Sequence, residues 1–360
     1  MRELDLFMEK GVQEKVFSGA MAWASLKGKV VYEKAVGHDG SSLKNPISAE
    51  SFFDLASLTK VLATTLVAMR LVESGVISLE TPLCEMLPEW KNHPYGREIR
   101  LFHLLQHTSG LPAFLNFYET LSAFPLEKRV PERRKLLLEI PLLQRPGLET
   151  LYSDLGFILL KEAFVEITEK PFEKLFSESL PKDFSEKERL FFPSVRNEAG
   201  VLLPFVTTSF SVFRNHRLYG EVHDENAAVM GGVDGHAGLF GTASSVGSFA
   251  EILLQAWHGR SSFFSPDILG QFIFWPKDGK RPLGFDRPSG ETPSSGSFFS
   301  AESIGHLGFT GTSLWMDLPR DFCVVLLTNR VCYGDDNWKI RDFRPGFHNL
   351  LMKTLGLVKA

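Results

Sequence analysis

Cysteine is scarce: Cys84, Cys323 and Cys332 are the only three in 360 residues. None forms a Cys-x-x-Cys pair or has a second cysteine at metal-ligand spacing, so no disulfide framework or zinc site is implied, and no cofactor is predicted. Long apolar runs are missing as well. No stretch reaches the roughly 18 to 20 residues that a membrane span needs. From Met1 to Gly11 the charged Arg2, Glu3, Asp5, Glu9 and Lys10 break up the apolar positions, so the unbroken core of a signal peptide is absent. The expected compartment is therefore the cytoplasm if Met1 is the natural start, and the periplasm or exterior if a leader was removed. Charge of one sign is not in excess either. Lys and Arg total 39 against 43 Asp and Glu, and a net charge of -4 offers no footprint for nucleic acid. The predicted partner is a small-molecule or peptide substrate, and nothing in the pattern fixes an oligomeric state. Two hydrolase signatures are absent: there is no Gly-x-Ser-x-Gly elbow and no His-Glu-x-x-His.

What is present is core. Hydrophobic residues make up 44% of the chain, and its 31 phenylalanines against 6 Tyr and 6 Trp point to aromatic packing inside. Met21 to Leu26 and Val30 to Val36, joined by Lys27-Gly28-Lys29, predict a hairpin, and Phe52 to Leu55 a short third strand. Ser57 to Ser74 predicts a helix that is apolar nearly all round and hence buried, closing at Gly75. Between about Thr81 and Leu203 come helix candidates at Arg100–Gln106, Pro131–Glu139, Asp154–Thr168 and Phe172–Ser179. An amphipathic helix is predicted at Ser244–Trp257 and an exposed loop over Pro276–Ser300. Strands at Thr312–Asp317 and Phe322–Thr328 and a helix from Phe343 to Leu355 close the chain. The fold class is α/β: one antiparallel sheet built from both chain ends and flanked by helices, with a mainly helical insertion. The corresponding divisions are 1–75 and 231–360 for the α/β part and 76–230 for the insertion.

Ser-x-x-Lys occurs three times, at Ser41/Lys44, Ser57/Lys60 and Ser179/Lys182. Ser41 lies in a polar turn and Ser179 precedes Pro181 at a helix end, so both read as solvent-facing. Only Ser57 opens a long buried helix, where residues three apart share a face and free N–H groups point outward. There desolvation is expected to lower the Lys60 pKa and free the amine as a base for the serine.

Phe53-Asp54-Leu55-Ala56-Ser57-Leu58-Thr59-Lys60 and Leu104-Leu105-Gln106-His107-Thr108-Ser109-Gly110-Leu111-Pro112 resemble the class C β-lactamase and penicillin-binding-protein superfamily, from about residue 15 to about 330. The resemblance implies a serine hydrolase, of a carboxypeptidase or esterase kind, with Ser57 as nucleophile. Tyr152-Ser153-Asp154 takes the place of the family's Tyr-x-Asn, so Tyr152 is the implied proton shuttle with Lys60. Asp154 replaces the usual Asn as the implied substrate contact; an ionised carboxylate can only accept hydrogen bonds, which argues against antibiotic turnover. Gly305 to Trp315 resembles the His-x-Gly version of the third element. It implies that His306 faces substrate, that Gly308 allows close backbone approach, and that the Phe309 N–H joins that of Ser57 as an oxyanion hole. Leu307 stands where the family has threonine. Tyr219 to Ala227 with Gly235 to Phe240 is similar to the branch containing penicillin-binding-protein-4B-like carboxypeptidases. Its His223, Asp224 and His236 are expected to brace a loop rather than to bind metal.

Overall fold

A computed structural model describes residues 1–181, 184, 190–193, 203–274 and 281–358. Its centre is an antiparallel sheet of five strands: β1 (Gly19–Leu26), β2 (Lys29–Gly37), β3 (Ile304–Leu307), β4 (Ser313–Asp317) and β5 (Phe322–Thr328). Their spatial order is β2-β1-β5-β4-β3. Both chain ends therefore build one sheet, and the seam is the β1–β5 pair, where Ala20 to Leu26 run opposite Thr328 to Phe322. The β1–β2 hairpin turns through Lys27 and Gly28, both at positive φ (52° and 74°), the twist that two-residue hairpin turns require.

Among the described helices are α1 (Arg2–Gln13), α2 (Leu66–Glu73), α3 (Asp154–Thr168), α4 (Ala243–Trp257) and α5 (Ile340–Thr354). Alternation along the strands decides which face each helix covers. Ala20, Ala22 and Ala24 of β1, with Phe322, Val324 and Leu326 of β5, share a core with Leu4 and Met8 of α1 and Phe343 and Phe347 of α5. Met21, Trp23, Cys323, Val325 and Leu327 point the other way, into the main core with α4. There α4 lies so close that a Cβ on Gly247 would come within 2.3 Å of the Trp23 ring. Burial on both faces explains why these strands carry so few polar residues.

The chain departs from the sequence reading at several points, each near the site. Phe53–Asp54 is a strand, but it pairs with Phe240–Gly241 in a separate ribbon and not with the main sheet. The buried Asp54 carboxylate turns the chain there by accepting the Ala56 N–H at 2.8 Å. The helix after Ser57 starts with a wide π-helical turn, Lys60–Thr65, before becoming α2. Two threonine hydroxyls account for the loosened ladder: Thr64 donates to Gly235 O (2.6 Å) and Thr65 to Lys60 O (2.7 Å). The helix expected from Pro131 already begins at Leu126, with Pro131 inside it, because Arg129 anchors the first turn through Phe124 O and Val229 O.

The loop expected to be exposed over Pro276–Ser300 is largely not so. Residues 275–280 lie outside the described residues, but Leu283 and Phe285 are buried and Asp286 pairs its backbone with Gly305 of β3. Ser179 is buried too, its hydroxyl bonded back to Leu175 O, rather than facing solvent; Lys182 lies outside the described residues. No described helix is long and apolar enough to cross a membrane.

Candidate active site

Ser57 sits in the turn between the Phe53–Asp54 strand and the buried helix, at one wall of a cleft of about 900 Å³. The preceding residue, Ala56, is held at φ 47°, a left-handed conformation that costs energy for a residue with a Cβ and that persists because Asp54 fixes its N–H. One turn on, the Lys60 side chain is fully buried. Its Nζ donates to Ser57 Oγ at 3.0 Å and to His236 O at 3.1 Å, and it lies 2.6 Å from Asp154 Oδ1. An ammonium has three protons: two go to Ser57 and His236, and the Asp154 carboxylate and the Tyr152 phenol flank the amine.

Burial alone would push the Lys60 amine down, but the Asp154 carboxylate and then Tyr152 more than offset it, and the net direction is up. This corrects the expectation of a neutral, desolvated amine. The cause is the substitution of Asp154 for the usual amide: the residue expected to touch substrate instead also pairs with the lysine. Asp154 still borders the cleft.

The Tyr152 phenol lies within reach of both the Lys60 amine and the Ser57 hydroxyl, and the Lys60 nitrogen stands 5.0 Å from the ring centre. Burial raises its pKa, Lys60 opposes that and Asp154 adds to it, leaving the phenol above its ordinary value. The structure thus brings together Ser57, Lys60, Tyr152 and Asp154 from two separated stretches of chain.

Strand β3 forms the opposite wall. Gly308, just past its end, packs where a Cβ would meet Leu55 O at 2.6 Å and Thr312 Oγ1 at 2.0 Å, so only glycine lets this strand end close on the Ser57 turn. Thr310 and Thr312 tie it there by donating to Asp54 O (2.8 Å) and Leu55 O (3.1 Å). Among the described residues neither the Ser57 nor the Phe309 N–H donates to a protein carbonyl. His306 is buried and its Nδ1 donates to Leu307 O at 2.8 Å, which leaves Nε2 as an acceptor. Burial, then Arg281 and Lys60, hold it well below its usual pKa, so it is neutral and cannot supply positive charge.

Several residues around the site carried no assigned role in the sequence. The His107 ring packs tilted against Tyr152 at 4.5 Å between centres and accepts the Ser153 N–H at 3.0 Å, fixing the first two residues of the Tyr-Ser-Asp triplet. Its signal was its place in the Leu104–Pro112 motif. Arg281, paired with Asp286 at 2.5 Å, lies 5.3 Å from the Tyr152 ring centre, and no local pattern announced it.

His236, which supplies the carbonyl to Lys60, bonds through Nε2 to Asp224 Oδ1 at 2.8 Å. His223 bonds through Nε2 to Ser209 (3.0 Å) and Asp335 (3.1 Å). Behind them Arg133 is buried between Glu162 and Asp234, hydrogen-bonded to both. Against the cost of burial, the Arg133 guanidinium first among its neighbours pulls Glu162 down to about 2.

A buried helix that presents a serine and a lysine to a cleft, closed by an antiparallel edge strand and served by a tyrosine, defines a serine hydrolase of the penicillin-recognising fold. The Beta-lactamase family model matches residues 4–340, and the chain belongs to that family. Among its relatives is an N-acetylmuramyl-L-alanine amidase of Bacillus subtilis, 30% identical over 363 residues, covering 92% of this chain and 81% of that protein. A Salmonella agona relative named as a D-alanyl-D-alanine carboxypeptidase is 29% identical over 332 residues, covering 84% and 76%. Of the solved structures, the octameric penicillin-binding protein homologue from Pyrococcus abyssi is similar at a TM-score of 0.74 with 18% identity, covering 99% of this chain and 77% of that one. EstCE1, a hydrolase with promiscuous acyltransferase activity, gives 0.72 with 21% identity, covering 96% and 98%.

Proposed function

We propose that the protein hydrolyses amide bonds in D-amino-acid peptides, and small esters more easily, through an acyl-enzyme on Ser57. The observation that carries this reading is the single contact set at Lys60, whose amine is 3.0 Å from the Ser57 hydroxyl and 2.6 Å from Asp154 beside the Tyr152 phenol. Lys60 and Tyr152 titrate as a pair, and loss of one proton from that pair creates the base. As Ser57 Oγ bonds to the substrate carbonyl carbon, its proton passes to the pair, and the Ser57 and Phe309 N–H groups receive the developing oxyanion. The pair then protonates the leaving nitrogen as the C–N bond breaks. Water attacks the ester, gives its proton to the same pair, and Ser57 leaves with a proton restored.

Efficient β-lactam turnover does not fit the site. Asp154 accepts where an amide would donate, Leu307 lacks a hydroxyl, and His306 is neutral. The test is a set of N-acyl-D-Ala-D-Ala peptides and nitrophenyl esters assayed beside a fluorescent penicillin. Release of D-Ala with weak penicillin labelling supports the reading; turnover of esters alone favours an esterase unrelated to the cell wall. Peptide binding that survives Ser57→Ala, with no turnover of any substrate, would mark a silent binding module.

A further inference from the structure

Residues 281–286 form a short strap between the Leu104–Pro112 segment and strand β3. Gln106 Nε2 donates to Arg281 O (2.8 Å), the Gly284 N–H donates to Leu105 O (2.9 Å), and Asp286 exchanges both backbone hydrogen bonds with Gly305 (2.6 and 3.0 Å). Gly284 sits at φ 79°, where a Cβ would run into the Thr65 hydroxyl, so only glycine lets the strap lie this close to the π-helical turn. Within the strap the Arg281 Nε donates to Phe285 O (3.1 Å), the guanidinium pairs with Asp286 (2.5 Å), and its carbon comes to 5.3 Å from the Tyr152 ring centre. The proton transfers among Ser57, Lys60 and Tyr152 leave this charge pair without a role.

Among the described residues, the charged and titratable groups set around the phenol are Lys60 with its partner Asp154, Arg281 with its partner Asp286, and the His107 and His306 rings, at 4.5 and 5.9 Å from the Tyr152 ring. Both imidazoles are neutral, because after burial Arg281 is the first charge that holds each well below its usual range. Neither ring can balance a negative charge on Tyr152. We infer that Arg281 is a positioning residue for the proton transfer: it holds negative charge on Tyr152 once the Lys60–Tyr152 pair has lost its proton, and Asp286 sets how much of the guanidinium's charge the phenol feels. Tyr152, His306 and Asp286 line the cleft, and Arg281 is not among its described lining residues, so the guanidinium acts through the phenol and not on substrate. Asp154 favours the proton on Lys60 and Arg281 favours the charge on Tyr152, so the two select the same form of the pair, ammonium with phenolate. The inference rests on the acyl-enzyme reading above and names what tunes its base.

The pH profile of kcat/KM on p-nitrophenyl acetate tests it in the native protein and in two variants of opposite sign. An opposite charge within about 4 to 6 Å moves an acid group's titration by about 1 to 3 pH units, and a charge already paired falls at the low end. Arg281→Gln should therefore shift the alkaline climb up by about one pH unit, a roughly tenfold loss below it with KM little changed, and Arg281→Lys should restore most of that loss. Asp286→Asn frees the guanidinium of its partner and should shift the climb down. Ultraviolet titration of tyrosinate, with Tyr152→Phe as reference, should show the same two opposite shifts without any turnover. A climb that stays in place in both charge variants, or moves the same way in both, overturns the inference, as does a loss confined to KM or to Tm. Should Arg281→Gln fail to fold, the direction of the Asp286→Asn shift decides alone. No Ser57 acylation would instead remove the reading on which the inference rests, while the tyrosinate titration still establishes or refutes the coupling of Arg281 to Tyr152.

Discussion

Replacing Arg133 by methionine keeps much of the side-chain volume and removes the one cation buried between Glu162 and Asp234. Glu162 sits at about 2 in the fold against an ordinary 4.5, and that gap, at about 1.36 kcal/mol per pH unit, corresponds to about 3 kcal/mol at neutral pH. Glu162 keeps two cations, Arg134 at 3.2 Å and Lys161 at 3.5 Å, whereas Asp234 keeps the Gly235 N–H at 2.9 Å and the His236 ring at 3.9 Å, so most of the damage falls on the Asp234–His236 loop. Breaking a buried pair from one side costs about 3 to 5 kcal/mol, enough to lower Tm by on the order of 10 °C.

The sign of the pH dependence follows from the depressed carboxylate. Its contribution is whole above the unfolded value of 4.5 and is lost as pH falls toward about 2. Wild-type Tm should therefore drop steeply through that acid window, and the Arg133→Met curve should be lower at neutral pH and flatter there. Because His236 O holds Lys60, the variant should also lose turnover at temperatures where it is still folded. Calorimetry from pH 2 to pH 7 checks this. A variant within about 2 °C of wild type, with an unchanged acid slope, would refute the reasoning.

Further outcomes follow from the same geometry. Since the Lys60–Tyr152 pair is held protonated, kcat/KM should climb toward alkaline pH, and Asp154→Asn, which removes the main cause of the raised lysine, should move that climb to lower pH; a pH–rate profile that stays in place contradicts this. Tyr152→Phe retains the ring packed against His107 but loses the phenol, so turnover should fall by about 10² to 10⁴ with Tm little changed, as steady-state kinetics and calorimetry would show. Gly308→Ala pushes the β3 end off the Ser57 turn, and a displacement near 1 Å should cut kcat by about 10², with wild-type kinetics as the contrary result.

How much of this was legible in the sequence depends on the range of the interactions. Asp154–Thr168, Phe172–Ser179 and Phe322–Thr328 are where apolar period and local breakers put them, because one periodic pattern suffices to place such elements. The nucleophile stood out because only one of three Ser-x-x-Lys copies opens an apolar helix. The lysine's charge was misjudged for the opposite reason. Local sequence shows burial, which lowers an amine, but not Asp154, which meets it from a helix 94 positions away in the chain and reverses the sign. Arg281 on Tyr152 and Arg133 on Asp234 are likewise products of tertiary contact between stretches that share no pattern. The π-helical turn was hidden because Thr64 and Thr65 look unremarkable until their hydroxyls meet Gly235 O and Lys60 O.

Rapid acid quench of the protein mixed with p-nitrophenyl acetate, followed by intact mass and peptide mapping, addresses the nucleophile itself. One acetyl group on the peptide containing Ser57, formed in a burst and absent from Ser57→Ala, is the outcome the geometry requires. An adduct on another residue, or turnover undiminished in Ser57→Ala, would mean that the hydroxyl 3.0 Å from Lys60 is not where the chemistry happens.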